Sequence, residues 1–503
     1  MIPSRRPLVV GLGRSGVAMA RALLDRGHDV RMADARDDDA MATRAAPFSE
    51  EGADVRLGGL GVDLLDGRDL VVTSPGVPPR TPLLEAARAR GLPVWSEPEL
   101  AWRLAGGRVR LVVVTGTNGK TTTTELIAAC LGAPAAGNIG TPLVELLARP
   151  DPPPLVVAEL SSFQLHFTHS LRPDVAVLLN VAVDHLDWHG TAAAYRAAKA
   201  RSWASQLPGD AVVVNADDVG AVQAVHEHPP AARIVTASTA APGPAAGAAD
   251  PGLDAVDASG PAAGAADPGL DAVDASGPAA GAADPGLDAV DASGPPLAVG
   301  VRGGTIVWRP AGGREVPVAR VADLALTGPH NVSNVCAAVA ASACAGADPT
   351  ALGPALTGFA AGPHRLERVA CVDGVTWVND SKATNPHAAA AALRSFGSVV
   401  WIAGGLDKYL DFDGLAGLLS PRVRATVTIG SCGPSVARMS RRAGVVTVEA
   451  GTLEAAVDTA ARLARPGDTV LLAPAAASMD QFTDYAARGQ AFRDLVAQLR
   501  EKR

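Results

Sequence analysis

Nine apolar runs, each six to eight residues long, end in small or polar residues. They are LVVGLG (8–13), LVVTSPG (70–76), RLVVVTGT (110–117), LVVAELSS (155–162), DVAVLLNV (174–181), AVVVNADD (211–218), VVWIAGG (399–405), ATVTIGS (425–431) and TVLLAPA (469–475). Helical stretches separate them. A strand that reads as continuously hydrophobic must be covered on both faces, and this alternation covers it with helices. The runs therefore predict parallel sheets whose C-terminal edges carry the functional loops. At 503 residues the chain exceeds one ordinary core. Seams near Gly106-Gly107 and Gly362-Pro363 divide it into three α/β domains, expected at 1–106, 107–361 and 362–503.

Residues 244–294 break the pattern with three perfect copies of PAAGAADPGLDAVDASG. Each copy offers one Leu and one Val to a core, so the segment, about 238–297 with its flanks, is expected to be disordered. Removing its nine Asp takes the formal net charge from −8 to +1, so the acidity belongs to the insertion and not to a site. No basic stripe suggests nucleic acid, and no apolar run approaches membrane-span length. MIPSRRPLVVGLG passes straight into a glycine loop and does not read as a signal peptide. The five cysteines are scattered, without a CxxC pair, and are expected to be reduced core thiols in a cytoplasmic protein. Only five of the 44 basic residues are lysine: Lys120, Lys199, Lys382, Lys408 and Lys502. A chain that otherwise uses arginine makes each lysine informative.

VVVTGTNGKTTTT (112–124) reads as strand, small-residue loop and helix start. Backbone N–H groups in such a loop cradle phosphates. Lys120 would reach the terminal phosphates and Thr121 would bind Mg²⁺. The match departs from GxxxxGK[ST], because Val114 stands where the first Gly would fall. GLGRSG (11–16) follows a strand and opens a helix. It suits a nucleotide, with Asp34 able to hold a ribose or base edge, or simply a close-packed glycine turn. Glu159 in AELSSFQL and His185 in NVAVDHLDWHG fall at neighbouring strand ends, where an acid and an imidazole can bind a second metal. The bland alternative is a helix-capping Glu and a surface His. GPHNVSN and GPHRLE supply Asn331, Asn334, His364 and Arg365, where asparagine amides can read an adenine and Arg365 can clamp a phosphate; seen alone, either is more often a cap or a surface fork. WVNDSKATNP, GGLDK and LLAPAAASMDQF bring Asp380, Lys382, Thr384, Lys408 and Ser478 toward one rim, where two cations and hydroxyls suit a dicarboxylate; the bland alternative is unrelated loop polarity.

In this order the motifs resemble the Mur ligases. TGTNGKTTT, the Glu and His strand ends, the HNxxN stretch and the HR pair carry the likeness. AELSSFQL, GLGRSG, SPG at 74–76, GNIG at 137–140 and NDSKATN place it on the branch that adds D-glutamate. The resemblance covers the chain outside the repeats. It implies a Rossmann-like N-terminal domain, a central P-loop NTPase-like domain with a parallel sheet, and a Rossmann-like C-terminal domain. It also implies ATP-dependent joining of D-glutamate to UDP-N-acetylmuramoyl-L-alanine through an acyl phosphate, in peptidoglycan precursor synthesis. The implied ATP site is Gly116, Thr117, Asn118, Gly119, Lys120, Thr121 and Thr122, with Asn331, Asn334, Arg365 and Asp380. Two Mg²⁺ ions are implied at Thr121, Glu159, His185 and Lys199, the last as a CO₂-derived carbamate. Ser15, Asp34, Ser74, Gly76 and Asn138 are implied along the UDP-sugar path. Lys382, Thr384, Lys408, Ser478 and Tyr485 are implied around D-glutamate. A monomer is expected. Ala35 after Asp34, and Ala475 to Ala477 in the last loop, depart from the pattern of relatives. A sister or folylpolyglutamate-type ligase, a non-catalytic nucleotide sensor and an NAD-dependent dehydrogenase are the competing readings.

Overall fold

The computed structural model describes residues 4–241, 298–326, 328–360, 362–407 and 410–501. Lys408 and the three repeats lie outside the described residues. The described residues form three sheets in chain order.

The first sheet holds β1 (Pro7–Val10), β2 (Arg31–Asp34), β3 (Asp54–Leu57), β4 (Leu70–Thr73) and β5 (Val94–Ser96). Its order is β3-β2-β1-β4-β5, parallel throughout. β1 and β4 are wholly buried, which is why they alone read as unbroken apolar runs here. β2 and β3 mix charged residues into four-residue strands, and the apolar pattern passes over them.

The second sheet has nine strands: β6 (Arg110–Thr115), β7 (Ala135–Gly137), β8 (Leu155–Glu159), β9 (Val175–Leu178), β10 (Ala211–Asn215), β11 (Arg233–Ala237), β12 (Ala298–Arg302), β13 (Thr305–Arg309) and β14 (Val316–Arg320). Its order is β14-β13-β12-β11-β10-β9-β6-β8-β7. β7 through β12 join in parallel, and β12-β13-β14 close one edge as an antiparallel meander. The helix Pro329–Cys344 covers this sheet with an almost unbroken buried run of Val, Cys and Ala from Val335 to Ala341.

The third sheet contains β15 (Glu367–Val372), β16 (Val375–Asn379), β17 (Val399–Gly404), β18 (Val423–Ile429), β19 (Val446–Gly451) and β20 (Thr469–Leu472). It is ordered β15-β16-β20-β17-β18-β19, and only the β15-β16 hairpin is antiparallel. Each of the nine apolar runs supplies a strand. All five cysteines are free, but they are not all core thiols: Cys371 is exposed, because it lies on the outermost strand β15. Among the described residues no helix is long and apolar enough to cross a membrane.

Candidate active site

The order β9-β6-β8 decides what meets at the centre. Three neighbouring parallel strands end side by side, so the loops after β6, β8 and β9 share one edge. After β6 the chain turns through 116–119 into the helix Lys120–Leu131. Gly119 sits at φ +80°, and a Cβ there would come within 2.6 Å of Asn334 Oδ1. Only glycine fits that turn, and Asn334 thereby lies against the loop, donating to Asn331 Oδ1 at 3.4 Å.

Lys120 Nζ donates to Gly116 O (2.9 Å) and Thr117 O (2.8 Å), folded back onto its own loop. Lys199 Nζ arrives at the same carbonyl, Gly116 O, at 2.8 Å. Lys199 comes from the helix Ala192–Ala200, is 1% exposed, and lies 4.5 Å from the centre of the Tyr195 ring. Burial pushes its amine well below the ordinary lysine range, and the Lys120 charge adds to that, while Asp184 opposes it. Burial also lowers Lys120, against the pull of Glu159.

Glu159 ends β8 and is 2% exposed. Its Oε1 accepts from Asn138 Nδ2 at 2.9 Å, and its Oε2 is buried without a hydrogen-bond partner. An orphaned buried carboxylate oxygen beside a phosphate-type loop fits a cation. Among the described residues no three His, Cys, Asp or Glu side chains converge on one metal position. Mg²⁺ does not need them: it keeps waters and takes one or two protein ligands plus phosphate oxygens. Thr121 and Glu159 match that demand.

The loop after β9 carries Asn180, Asp184 and His185. Asn180 brackets Asn118, its Oδ1 accepting from Asn118 N (2.8 Å) and its Nδ2 donating to Asn118 O (3.1 Å). His185 adopts φ +54° and turns a partly exposed ring edge-on to Phe163, 4.7 Å between centroids. Its Nε2 is 3.7 Å from Asp184 Oδ2.

The third domain reaches this loop at two points. Arg365 Nη1 lies 3.2 Å from Glu125 Oε2 and 3.5 Å from Thr122 Oγ1. Asn385 Nδ2 donates to Asn118 Oδ1 and to Asp184 Oδ2, both at 3.2 Å, and His387 Nδ1 lies 2.8 Å from Asn118 Nδ2. Asp380 Oδ1 accepts from Leu366 N, and burial raises its carboxyl to about 7 against the pull of Arg365. Lys382 Nζ stands 3.8 Å over the Tyr485 ring, Thr384 follows it in the same loop, and Ser478 is buried in the loop after β20.

In the first domain, β2-β1-β4 repeats the arrangement. Asp34 accepts from Leu12 N (2.7 Å), and Ser74 Oγ donates to Gly11 O (2.6 Å). Ser15 lies in the first turn of the helix Arg14–Leu24, and Gly76 in the loop after β4. Asp34 and Ser74 thus fix the glycine loop itself. Asn138 belongs to the second domain and faces Glu159.

Three family models match in sequence: a MurD-like N-terminal domain over residues 5–96, the Mur ligase middle domain over 114–248, and the Mur ligase glutamate ligase domain over 364–476. The UDP-N-acetylmuramoylalanine–D-glutamate ligase of Frankia casuarinae is 48% identical over 96% of this chain and 92% of its own. The chain belongs to the Mur ligase family. The enzyme of the same name from Thermobifida fusca is 40% identical over 97% of each chain. A solved MurF structure from Acinetobacter baumannii aligns with a TM-score of 0.55 at 15% identity, covering 98% of this chain and 93% of its own, which supports the shared fold.

Three residues of this Mur ligase sit in the site without having been marked in the sequence. Asn385 and His387 join the phosphate-type loop to the third domain. Arg488 is 1% exposed and donates to Ser381 O and Oγ, Ala476 O and Ala477 O, tying together the loops that carry Lys382 and Ser478. Desolvation lowers its guanidinium to about 10. An arginine in an arginine-rich helix gives no signal; its four loop acceptors do.

Proposed function

We propose that the chain joins D-glutamate to the L-alanyl carboxylate of UDP-N-acetylmuramoyl-L-alanine, using ATP, in peptidoglycan precursor synthesis. The carboxylate takes the terminal phosphoryl group of ATP, ADP departs, and the D-glutamate amine displaces phosphate from the acyl phosphate. Such chemistry needs little from the protein beyond in-line positioning and charge neutralisation. The observation that carries the reading is the convergence of Lys120, Lys199 and the unpartnered Glu159 oxygen at adjoining strand ends.

Lys120 exchanges its two loop carbonyls for phosphate oxygens. Residues 116–122 cradle the phosphates through backbone N–H groups, while Asn331, Asn334, Arg365 and Asp380 serve the rest of ATP. Thr121 and Glu159 hold one Mg²⁺, and His185 and Lys199 a second. Bound Mg²⁺ neutralises phosphate charge. Lys199 acts as a carbamate: its buried amine is favoured in the neutral form, adds its lone pair to the carbon of CO₂ and releases a proton, leaving an anionic oxygen ligand. Ser15, Asp34, Ser74, Gly76 and Asn138 line the UDP-sugar path. Lys382, Thr384, Ser478, Tyr485 and Lys408 receive the D-glutamate carboxylates. The domains are placed at 1–106, 107–361 and 362–503, and the reaction in the cytoplasm.

Phosphate release with UDP-N-acetylmuramoyl-L-alanine, ATP, Mg²⁺ and a panel of amino acids tests the assignment. D-Glutamate alone should support turnover. Equal turnover with L-alanine or a diamino acid would remove it.

A further inference from the structure

A second cationic site lies at the other end of the first sheet, where the strands begin. A cleft of about 590 Å³ opens there, lined by Arg5, Arg26, His28, Arg103 and Arg108, with no Asp or Glu among its lining residues. Its size falls in the range of small-molecule sites. Several arginines elsewhere in this domain pair with acids, Arg21 with Glu51, Arg31 with Asp54, Arg68 with Asp29 and Arg90 with Asp66, while Arg44 and Arg88 donate to the carbonyls of Leu12 and Pro79. Around the cleft, only Arg103 is so paired, Nε 2.7 Å from Glu99 Oε1 while its guanidinium stacks 4.3 Å from the Trp95 ring. Arg26 donates instead to Ala22 O (2.9 Å) and Ala148 O, and Arg108 to Ala105 O (2.9 Å) and Pro150 O (3.1 Å). Carbonyl acceptors hold these guanidinium groups still without cancelling their charge. A guanidinium has five donors, so each keeps three. An anion meeting them finds forks already oriented, with little side-chain freedom left to lose.

The position has a consequence for the domains. Gly106 and Gly107, both in the left-handed region at φ +59° and +77°, connect the helix Glu97–Ala105 to β6. Arg26 reaches across that joint to Ala148 of the second domain, and Arg108, at the start of the second domain, donates back to Ala105 of the first. We propose that this cleft binds a small multivalent phosphate of nucleotide size or less, apart from the substrate loops, and that occupancy braces the joint between the first two domains.

Inorganic pyrophosphate, titrated calorimetrically without Mg²⁺ into the full-length protein, tests this. Three proteins are compared: wild type, Lys120→Ala to disable the phosphate loop, and Arg5→Glu/His28→Glu to reverse charge in the cleft. Among the described residues no side-chain hydrogen bond or ion pair is found for Arg5 or His28, so the double variant should fold and keep basal phosphate release. Lys120→Ala should still bind pyrophosphate. Arg5→Glu/His28→Glu should lose cleft binding by roughly tenfold or more, the loss expected for charge-assisted bonds. Complete loss of binding in Lys120→Ala, or unchanged binding in Arg5→Glu/His28→Glu, would overturn the site.

Discussion

Two lysine amines share one carbonyl oxygen, Gly116 O. Two like charges so placed repel, and burial together with the Lys120 charge pushes the Lys199 amine well below the ordinary lysine range, which favours its neutral form. That is the form able to take up CO₂, and a guanidinium has no such form at neutral pH. Lys199→Arg should therefore be as inactive as Lys199→Ala, about a hundredfold or more below wild type in kcat. Short carboxylates such as formate should restore part of the activity to the Ala variant only. Wild-type turnover by the Arg variant would end the carbamate reading. The lysines were legible in the sequence because the chain hardly uses them. Arg488, Asn385 and His387 were not, since an arginine among 39 and an Asn before Pro-His read as surface charge and helix cap. Asn385 and His387 meet Asn118, and Arg488 meets Ser381, across more than 100 residues of chain.

At the scale of elements, apolar runs gave away the strands that are buried on both faces. The charged strands β2 and β3 and the β12-β13-β14 meander escaped, because charged and partly exposed residues interrupt their apolar pattern. The helix Pro386–Arg394 shows how one element serves two ends. Asn385 caps it through Ala388 N (2.8 Å) and also grips Asn118 and Asp184 in the second domain. Asn385→Ala should raise KM for ATP as well as for D-glutamate, by several-fold, since each lost bond is worth about 1 kcal/mol. Steady-state kinetics with each substrate varied would check this, and an effect confined to D-glutamate would contradict it.

Glu97 opens another element, the helix Glu97–Ala105, and accepts from Val144 N of the second domain. Burial raises its carboxyl to about 7 from 4.5. Below pH 4.5 both folded and unfolded chains hold the proton. Between 4.5 and 7 the unfolded chain loses it first, so folding stability contributed here falls with rising pH and levels off above 7. Glu97→Gln should flatten that slope in denaturant titrations. Asp380, raised in the same direction, leaves a residual slope. An unchanged pH profile would mean that Glu97 is ionised in the folded protein.

At the scale of the molecule, the repeats interrupt the sheet between β11 and β12. These strands are parallel, with Thr236 opposite Ala298 and Ala237 opposite Val299. A parallel pair needs a crossover of about a dozen residues or more. Removing two of the three copies leaves a 26-residue connection between Ala237 and Ala298. Loop closure changes only logarithmically with length, by less than about 1 kcal/mol here, so stability and kcat should hardly move. Removing residues 244–294 entirely leaves nine residues between Ala237 and Ala298, fewer than the dozen or so a crossover needs. That variant should melt lower or fail to fold, and equal stability of both deletions would show that the connection is not a crossover. The second and third domains meet beside the phosphate-type loop through Asn118, Thr122 and Glu125, and the proposed reaction uses that meeting to deliver the amine to the activated carboxylate. The most direct measurement uses UDP-N-acetylmuramoyl-L-alanine carrying ¹⁸O in its terminal carboxylate, with ATP, Mg²⁺ and D-glutamate. The released phosphate should carry one ¹⁸O per amide bond formed. Unlabelled phosphate accompanying amide formation would contradict an acyl phosphate and the account built on it.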